Sequence, residues 1–231
     1  MKQHLPNAIT CLNLFSGCIG VVLAFEGQLI DAGYAILIAA IFDFLDGLVA
    51  RALKVSSPIG KELDSLADIV SFGFLPSVIL FKLFNLSPAI ADSGSWIKYT
   101  AFLVAICSAL RLAKFNLDPR QNDVFFGLPT PACAIFILSL PHIAMSRNLI
   151  ASEYVQNPVI LIALTLTLSF LLVAELPLMS LKFSNFNFST NLYRYLLLAL
   201  SLILIIILQF TAIPLIIMLY LILSIFQFRN A

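Results

Sequence analysis

Stretches of roughly twenty mostly apolar residues follow one another along nearly the whole chain, and few charges interrupt them. A membrane-crossing helix needs about 20 such residues, because the hydrocarbon core is about 30 Å thick and a helix rises about 1.5 Å per residue. Eight candidate spans stand out, at about 8–25, 29–52, 61–84, 97–116, 128–146, 157–175, 192–209 and 212–228. The 231 residues are 61% hydrophobic and 11% charged, too little polar material to cover a water-facing surface. The expected fold class is all-α: a polytopic membrane helix bundle, one integral membrane domain over residues 1–231.

Turn chemistry separates the spans. It lies at Gly27-Gln28, Ser56-Ser57-Pro58, Ala91–Ser95, Asn116–Pro119, Ser152-Glu153 and Ser184–Asn191, whereas only Thr211 to Pro214 divides the last two. No repeat or second domain is visible. Lys2 precedes an apolar run from Ile9 to Phe25, but Asn13, Ser16 and Gly17 interrupt it and further spans follow, so it reads as a retained helix. A net charge of +1 without a basic run gives no nucleic-acid partner. Cys11, Cys18, Cys107 and Cys133 lie in apolar stretches without a C-x-x-C pair, which favours buried free thiols.

Eight spans put both termini on one side. That side carries Lys2, Arg51, Lys54, Lys61, Arg111, Lys114, Arg120, Lys182, Arg194 and Arg229, against Lys82, Lys98 and Arg147 on the other. The bias predicts cytoplasmic termini.

Four aspartates break the apolar pattern: Asp43, Asp46, Asp64 and Asp68. Each ionised carboxylate costs about 2.5–3.5 kcal/mol at the centre of a membrane helix, and less near an interface. Separations of three and four place each pair on one helix side. Two antiparallel helices joined by a short loop would bring all four to one level near the cytoplasmic face. Carboxylates so close repel strongly unless cations neutralise them, and Mg²⁺ or Mn²⁺, one or two ions, suits oxygen ligands shared with substrate phosphates. Gly47, Ala50 and Gly60 leave room for a ligand beside the acids, and Arg51 offers a fork of donors to a phosphate. Small residues also serve helix packing alone, and a terminal Arg also serves as an interfacial anchor.

The pattern Asp43-x2-Asp46-Gly47-x2-Ala50-Arg51-x8-Gly60-x3-Asp64-x3-Asp68 resembles, at all of its specified positions, the signature of the CDP-alcohol phosphotransferases. The resemblance implies a six-helix catalytic core over about residues 1–175, with two added helices at 192–228. It implies that Asp43, Asp46 and Asp64 hold divalent metal, while Asp68 is the catalytic base and also touches metal. Gly47, Ala50, Arg51 and Gly60 would line the CDP-lipid site.

Three stretches are similar to those of membrane-embedded bacterial phosphatidylserine synthases: Leu66–Gly73, Leu110-Arg111-Leu112-Ala113-Lys114-Phe115-Asn116 and Gly127-Leu128-Pro129-Thr130-Pro131. Lys114 departs from the usual arginine but keeps its charge. The opening Leu5–Thr10, with Asn13 and Gly17, resembles the wider bacterial branch that uses CDP-diacylglycerol. These likenesses imply phosphatidyl transfer to L-serine, giving phosphatidylserine and CMP in phospholipid biosynthesis at a bacterial inner membrane. Membrane lipids are the surroundings, and a homodimer is compatible with this reading. Arg111 and Asn116 are the candidate acceptor-binding residues, since L-serine brings a carboxylate and an ammonium. From charge alone Arg111 reads equally as a helix-end anchor. Two alternatives compete: another acceptor, such as glycerol 3-phosphate or an inositol phosphate, and a cation transporter. Transporter sites usually lie at the midplane between repeats, unlike this off-centre acidic group. His142 reads as a helix-packing hydrogen-bond partner, and Trp96 and Tyr99 as an aromatic belt.

Overall fold

A computed structural model describes residues 4–55, 57–87, 90, 96–117, 125–146, 149–179, 187–188 and 191–229. Lys2, Arg120, Arg147 and Lys182, which entered the charge comparison, lie outside the described residues, as do Ser56 and Ala91–Ser95. The helices are α1 (His4–Phe25), α2 (Leu29–Leu53), α3 (Pro58–Asp68), α4 (Leu75–Leu86), α5 (Leu103–Leu117), α6 (Thr130–Ala144), α7 (Leu149–Gln156), α8 (Pro158–Val173), α9 (Leu192–Leu208) and α10 (Ala212–Arg229). A 3-10 segment, Trp96–Phe102, leads into α5. One small antiparallel ladder pairs β1 (Phe125–Phe126) with β2 (Pro177–Leu178). The all-α membrane bundle is the observed fold.

Among the described residues four helical stretches, against the eight spans expected, are long and apolar enough to cross a membrane: His4–Phe25, Pro58–Leu86, Trp96–Leu117 and Leu192–Phe228; Thr130–Ala144 and Pro158–Val173 are apolar but shorter. Pro58–Leu86 is the axis of the bundle, with 61% of its apolar window buried against 11% for Leu192–Phe228. Phe72, Leu75, Ile79, Leu80, Leu83 and Phe84 on this axis are fully buried. Their neighbours are α1, α2, α5 and α6. Many large apolar side chains on α9 point outward, including Ile206 and Ile207 at 72% and 69% exposure, as a lipid-facing surface requires.

Two details differ from the sequence expectation. The third span is not a uniform helix: α3 passes into a π-helical segment, Ile69–Phe74, and then α4. The wide turn lets the Ser71 hydroxyl reach the Asn13 carbonyl on α1 at 3.0 Å. Gly17 permits this approach, because a Cβ there would stand 2.4 Å from the Ser71 hydroxyl oxygen. At the other end of the chain, the break between α9 and α10 falls at Gln209, with φ 51° and ψ −131°, ahead of the Thr211–Pro214 punctuation. The two helices then pack against each other.

Smaller corrections come from packing. His142 makes ring contacts in place of the expected hydrogen bond: it stacks on Phe210 at 4.0 Å and meets Tyr34 edge-on, while its Nε2 has no hydrogen-bond partner among the described residues. Cys133 is buried, but Cys11 and Cys18 face outward from α1, and all four thiols are free. Trp96 and Tyr99 lie ring to ring at the start of the fourth crossing stretch.

Candidate active site

The turn between α2 and α3 brings the acids together. Lys54 adopts the left-handed conformation, φ 53°, and its N–H bonds the carbonyls of Ala50 and Arg51, which stops α2. Ser57 caps α3 by accepting from the Gly60 N–H at 2.9 Å, and Pro58 occupies the first turn, where its missing N–H costs nothing. Two short-range signals thus reverse the chain and set α3 beside the end of α2.

Asp43, Asp64 and Asp68 converge: one oxygen of each lies within 4.8 Å of the others, and all three are half-buried. Asp46 is more deeply placed, 7% exposed, and accepts a 2.6 Å hydrogen bond from the Thr10 hydroxyl. A three-residue step leaves it about 60° round the helix from Asp43, toward α1. It still lies close enough to Asp43 and Asp64 to repel both. Asp68 accepts from the Asn13 side-chain amide at 3.2 Å. The tightest trio therefore includes Asp68, while Asp46 stands beside it, anchored to α1.

Sequence reasoning gave Thr10 and Asn13 no individual role. Polar residues three apart in an otherwise apolar span were the available signal, since that spacing puts both on one helix face. In the structure α1 is the donor rail of the site, serving one carboxylate on each of the two acidic helices.

A cavity of about 290 Å³ adjoins the acids, lined by Thr10, Asp46, Gly47, Ala50, Gly60 and Asp64 among others. Gly60 has a packing reason to be small: a Cβ would stand 2.9 Å from both Asn7 Oδ1 and Ser57 Oγ. Gly47 has no such reason. Its nearest neighbour would be the Arg51 guanidinium at 3.6 Å, an ordinary contact, so only the cavity needs this position empty. Gly47→Ala is therefore expected to leave the melting temperature within about 2 °C of wild type, and a cavity ligand should bind about tenfold more weakly, as overpacking by one methyl predicts. Unchanged ligand affinity would remove Gly47 from the binding surface.

Arg111, on α5, is 7% exposed, and its Nε has no hydrogen-bond partner among the described residues. It lies near enough to Asp68 to feel its charge. A helix-end anchor would reach into water, so burial counts against that reading. Asn116 is placed differently. Its side-chain amide donates to Ser65 Oγ at 2.8 Å and its backbone carbonyl accepts from Lys61 Nζ at 3.1 Å, which ties the end of α5 to α3.

The profile of the CDP-alcohol phosphatidyltransferases matches residues 3–228. The chain belongs to this family. The match runs through both C-terminal helices. A CDP-diacylglycerol–serine O-phosphatidyltransferase of Mycobacterium leprae is 35% identical over 184 residues, 76% of this chain and 58% of that protein. One of Bacillus subtilis is 30% identical over 176 residues, 75% of this chain and 89% of that protein. An archaetidylserine synthase of Methanothermobacter thermautotrophicus is 34% identical over 138 residues, 58% of this chain and 56% of that protein. The chain thus spans about three fifths of the mycobacterial relative and most of the Bacillus one.

The donor set suits a hard divalent cation. Carboxylate oxygens from two helices, with no thiolate or imidazole among them, match Mg²⁺ or Mn²⁺ in ligand type. Asp43, Asp64 and Asp68 are positioned to share an ion, with Asp46 at the cavity wall.

Proposed function

We propose that this chain transfers the phosphatidyl group of CDP-diacylglycerol to L-serine, giving phosphatidylserine and CMP. The observation that supports it most is the union of three carboxylates within 4.8 Å with a cavity lined by Gly47, Ala50 and Gly60. The serine-named relatives supply the acceptor.

Asp43, Asp64 and Asp68, with Asp46 beside them at the cavity wall, would hold the divalent ion, whose chemistry there is to offset charge on the pyrophosphate and on departing CMP. Gly47 and Ala50 admit the cytidine diphosphate close to the backbone of α2. Arg51, exposed beside Gly47, offers its fork to a phosphate. Asp68 takes the proton of the serine hydroxyl as that oxygen attacks the lipid-bearing phosphorus; the new P–O bond forms and the bond to CMP breaks. Asn13 keeps the Asp68 carboxylate aimed at the acceptor. Arg111 binds the serine carboxylate, which would give its buried guanidinium the missing partner. The acids lie toward the end of the bundle that carries Arg51, Lys54 and Lys61, and this end faces the cytoplasm in our reading. The core closes at about residue 175, with α9 and α10 added to it.

Purified protein incubated with CDP-diacylglycerol, Mn²⁺ and labelled alcohols tests the acceptor. Serine should be incorporated, and glycerol 3-phosphate and inositol phosphate should not. Transfer only to a phosphorylated alcohol would overturn the serine assignment. Arg111→Ala should raise the KM for serine at least about tenfold and leave that for the CDP-lipid within about twofold, since a hydrogen bond between charged groups is worth about 1.5–3 kcal/mol. Equal rises in both constants would remove Arg111 from the acceptor site.

A further inference from the structure

We propose that Asn13 selects the acceptor: its side-chain oxygen accepts a hydrogen bond from the ammonium group of L-serine. This inference deepens the serine reading above and rests on it. Asn13 is fully buried on α1. Its backbone carbonyl accepts from the Ser71 hydroxyl at 3.0 Å, and its side-chain nitrogen donates to Asp68 Oδ1 at 3.2 Å. Backbone and side chain are therefore both fixed by the third span. The side-chain oxygen, by contrast, has no hydrogen-bond partner among the described residues. Buried polar atoms are nearly always paired, so an unpaired one beside the base points to a ligand.

Asp68 dictates which way the amide faces. A carboxylate able to take a proton offers only acceptors, so Asn13 must present its nitrogen there and turn its oxygen elsewhere. That oxygen shares one planar amide with the nitrogen that meets Asp68. The carboxylate and a neutral carbonyl oxygen thus stand side by side, tied by one hydrogen bond.

Serine matches this pair. It carries two donors on adjacent carbons, the hydroxyl and the ammonium. With the hydroxyl at Asp68, the ammonium falls beside Asn13, and one of its three N–H groups meets Oδ1. A neutral acceptor suits the position, because a fifth carboxylate would add to the repulsion among the four acids. Arg111 completes the set: α1 and α5 both pack on the π-helical segment that directly follows Asp68. Hydroxyl, ammonium and carboxylate would each meet a different residue, Asp68, Asn13 and Arg111.

Transfer by the full chain in detergent, from CDP-diacylglycerol to three acceptors, tests this. L-serine is compared with 3-hydroxypropanoate, which lacks the ammonium, and with ethanolamine, which lacks the carboxylate. Asn13→Ala should slow every acceptor, since Asp68 loses its donor. The readout is the ratio of kcat/KM between acceptors, in which that common loss cancels. The preference for serine over 3-hydroxypropanoate should fall at least about tenfold in Asn13→Ala, as loss of a hydrogen bond to a charged group predicts. The preference for serine over ethanolamine should stay within about twofold, because both carry the ammonium. For an analogue that is not turned over, inhibition constants against serine supply the same comparison. Serine transfer by wild type, with an ammonium preference that Asn13→Ala leaves unchanged, would overturn this inference and leave the acceptor reading standing. An equal fall in both preferences would reduce Asn13 to a positioning role and overturn it as well. Failure of wild type to transfer to serine would overturn the acceptor reading, and this inference with it. Should Asn13→Ala not fold, Asn13→Ser removes the amide and keeps a small polar group. It must lower the ammonium preference selectively, and no selective fall would overturn the proposal.

Discussion

Asp68→Asn is expected to lower turnover by about 10²- to 10⁴-fold, the range a positioned general base contributes, while the protein still folds and binds CDP-diacylglycerol. The substitution is nearly isosteric. The new amide oxygen can still accept from Asn13, which now bonds Asp68 Oδ1 at 3.2 Å, so the link between α1 and α3 survives. What is lost is the capacity to take a proton from the attacking hydroxyl. Asp68 is also one of three carboxylates crowded within 4.8 Å, so removing its charge relieves repulsion and should not unfold the bundle. Turnover assays paired with CDP-lipid binding by the same preparation check both halves. Near-normal turnover would refute the base role. Loss of binding together with turnover would assign Asp68 to the metal site alone.

Asp64→Asn should be comparably damaging, with a stability signature of opposite sign in two buffers. Turnover should fall at least about 10³-fold, because a bound divalent ion supplies several kcal/mol of charge stabilisation and each 1.36 kcal/mol is about tenfold. Stability separates the electrostatics from the chemistry. In EDTA, wild type carries the full repulsion among its crowded acids, so the variant should melt at the same temperature or higher. With Mn²⁺ at about a hundred times its dissociation constant, wild type should gain about 2.7 kcal/mol, a rise of about 5–10 °C for a chain this size. The variant should gain much less. Thermal melts in detergent, with and without Mn²⁺, read the crossing directly. Parallel curves for the two proteins would show that Asp64 does not hold the ion.

Much of this site was legible in the sequence because helix periodicity is local. Asp43 with Asp46, and Asp64 with Asp68, share a face by spacing alone, and a short connection forces their helices to be neighbours. Ser56-Ser57-Pro58 reads in the sequence as turn chemistry ahead of a span from about 61, whereas the structure starts α3 at Pro58 with Ser57 as its cap. The division of labour among the acids was less accessible. Nothing in the spacing says that Asp46 turns to Thr10 while Asp68 joins Asp43 and Asp64, because that depends on how α1 leans across the pair. The π-helical turn at Ile69–Phe74 was also hidden, since the contact it makes, between Ser71 and an α1 carbonyl, spans 58 residues of chain. The same limit applies to Arg111. By charge alone it reads equally as a helix-end anchor and as a substrate ligand, and only packing shows that it is enclosed. Asn116 shows the converse: a residue singled out for acceptor binding spends its amide on Ser65.

Anomalous diffraction from crystals grown with Mn²⁺ and CDP-diacylglycerol places the cation without reference to turnover. A manganese peak within coordination distance of the Asp43, Asp64 and Asp68 carboxylates, beside the cavity wall at Asp46, is the predicted result. Ordered carboxylates with no manganese among them, or a peak elsewhere in the bundle, would contradict it.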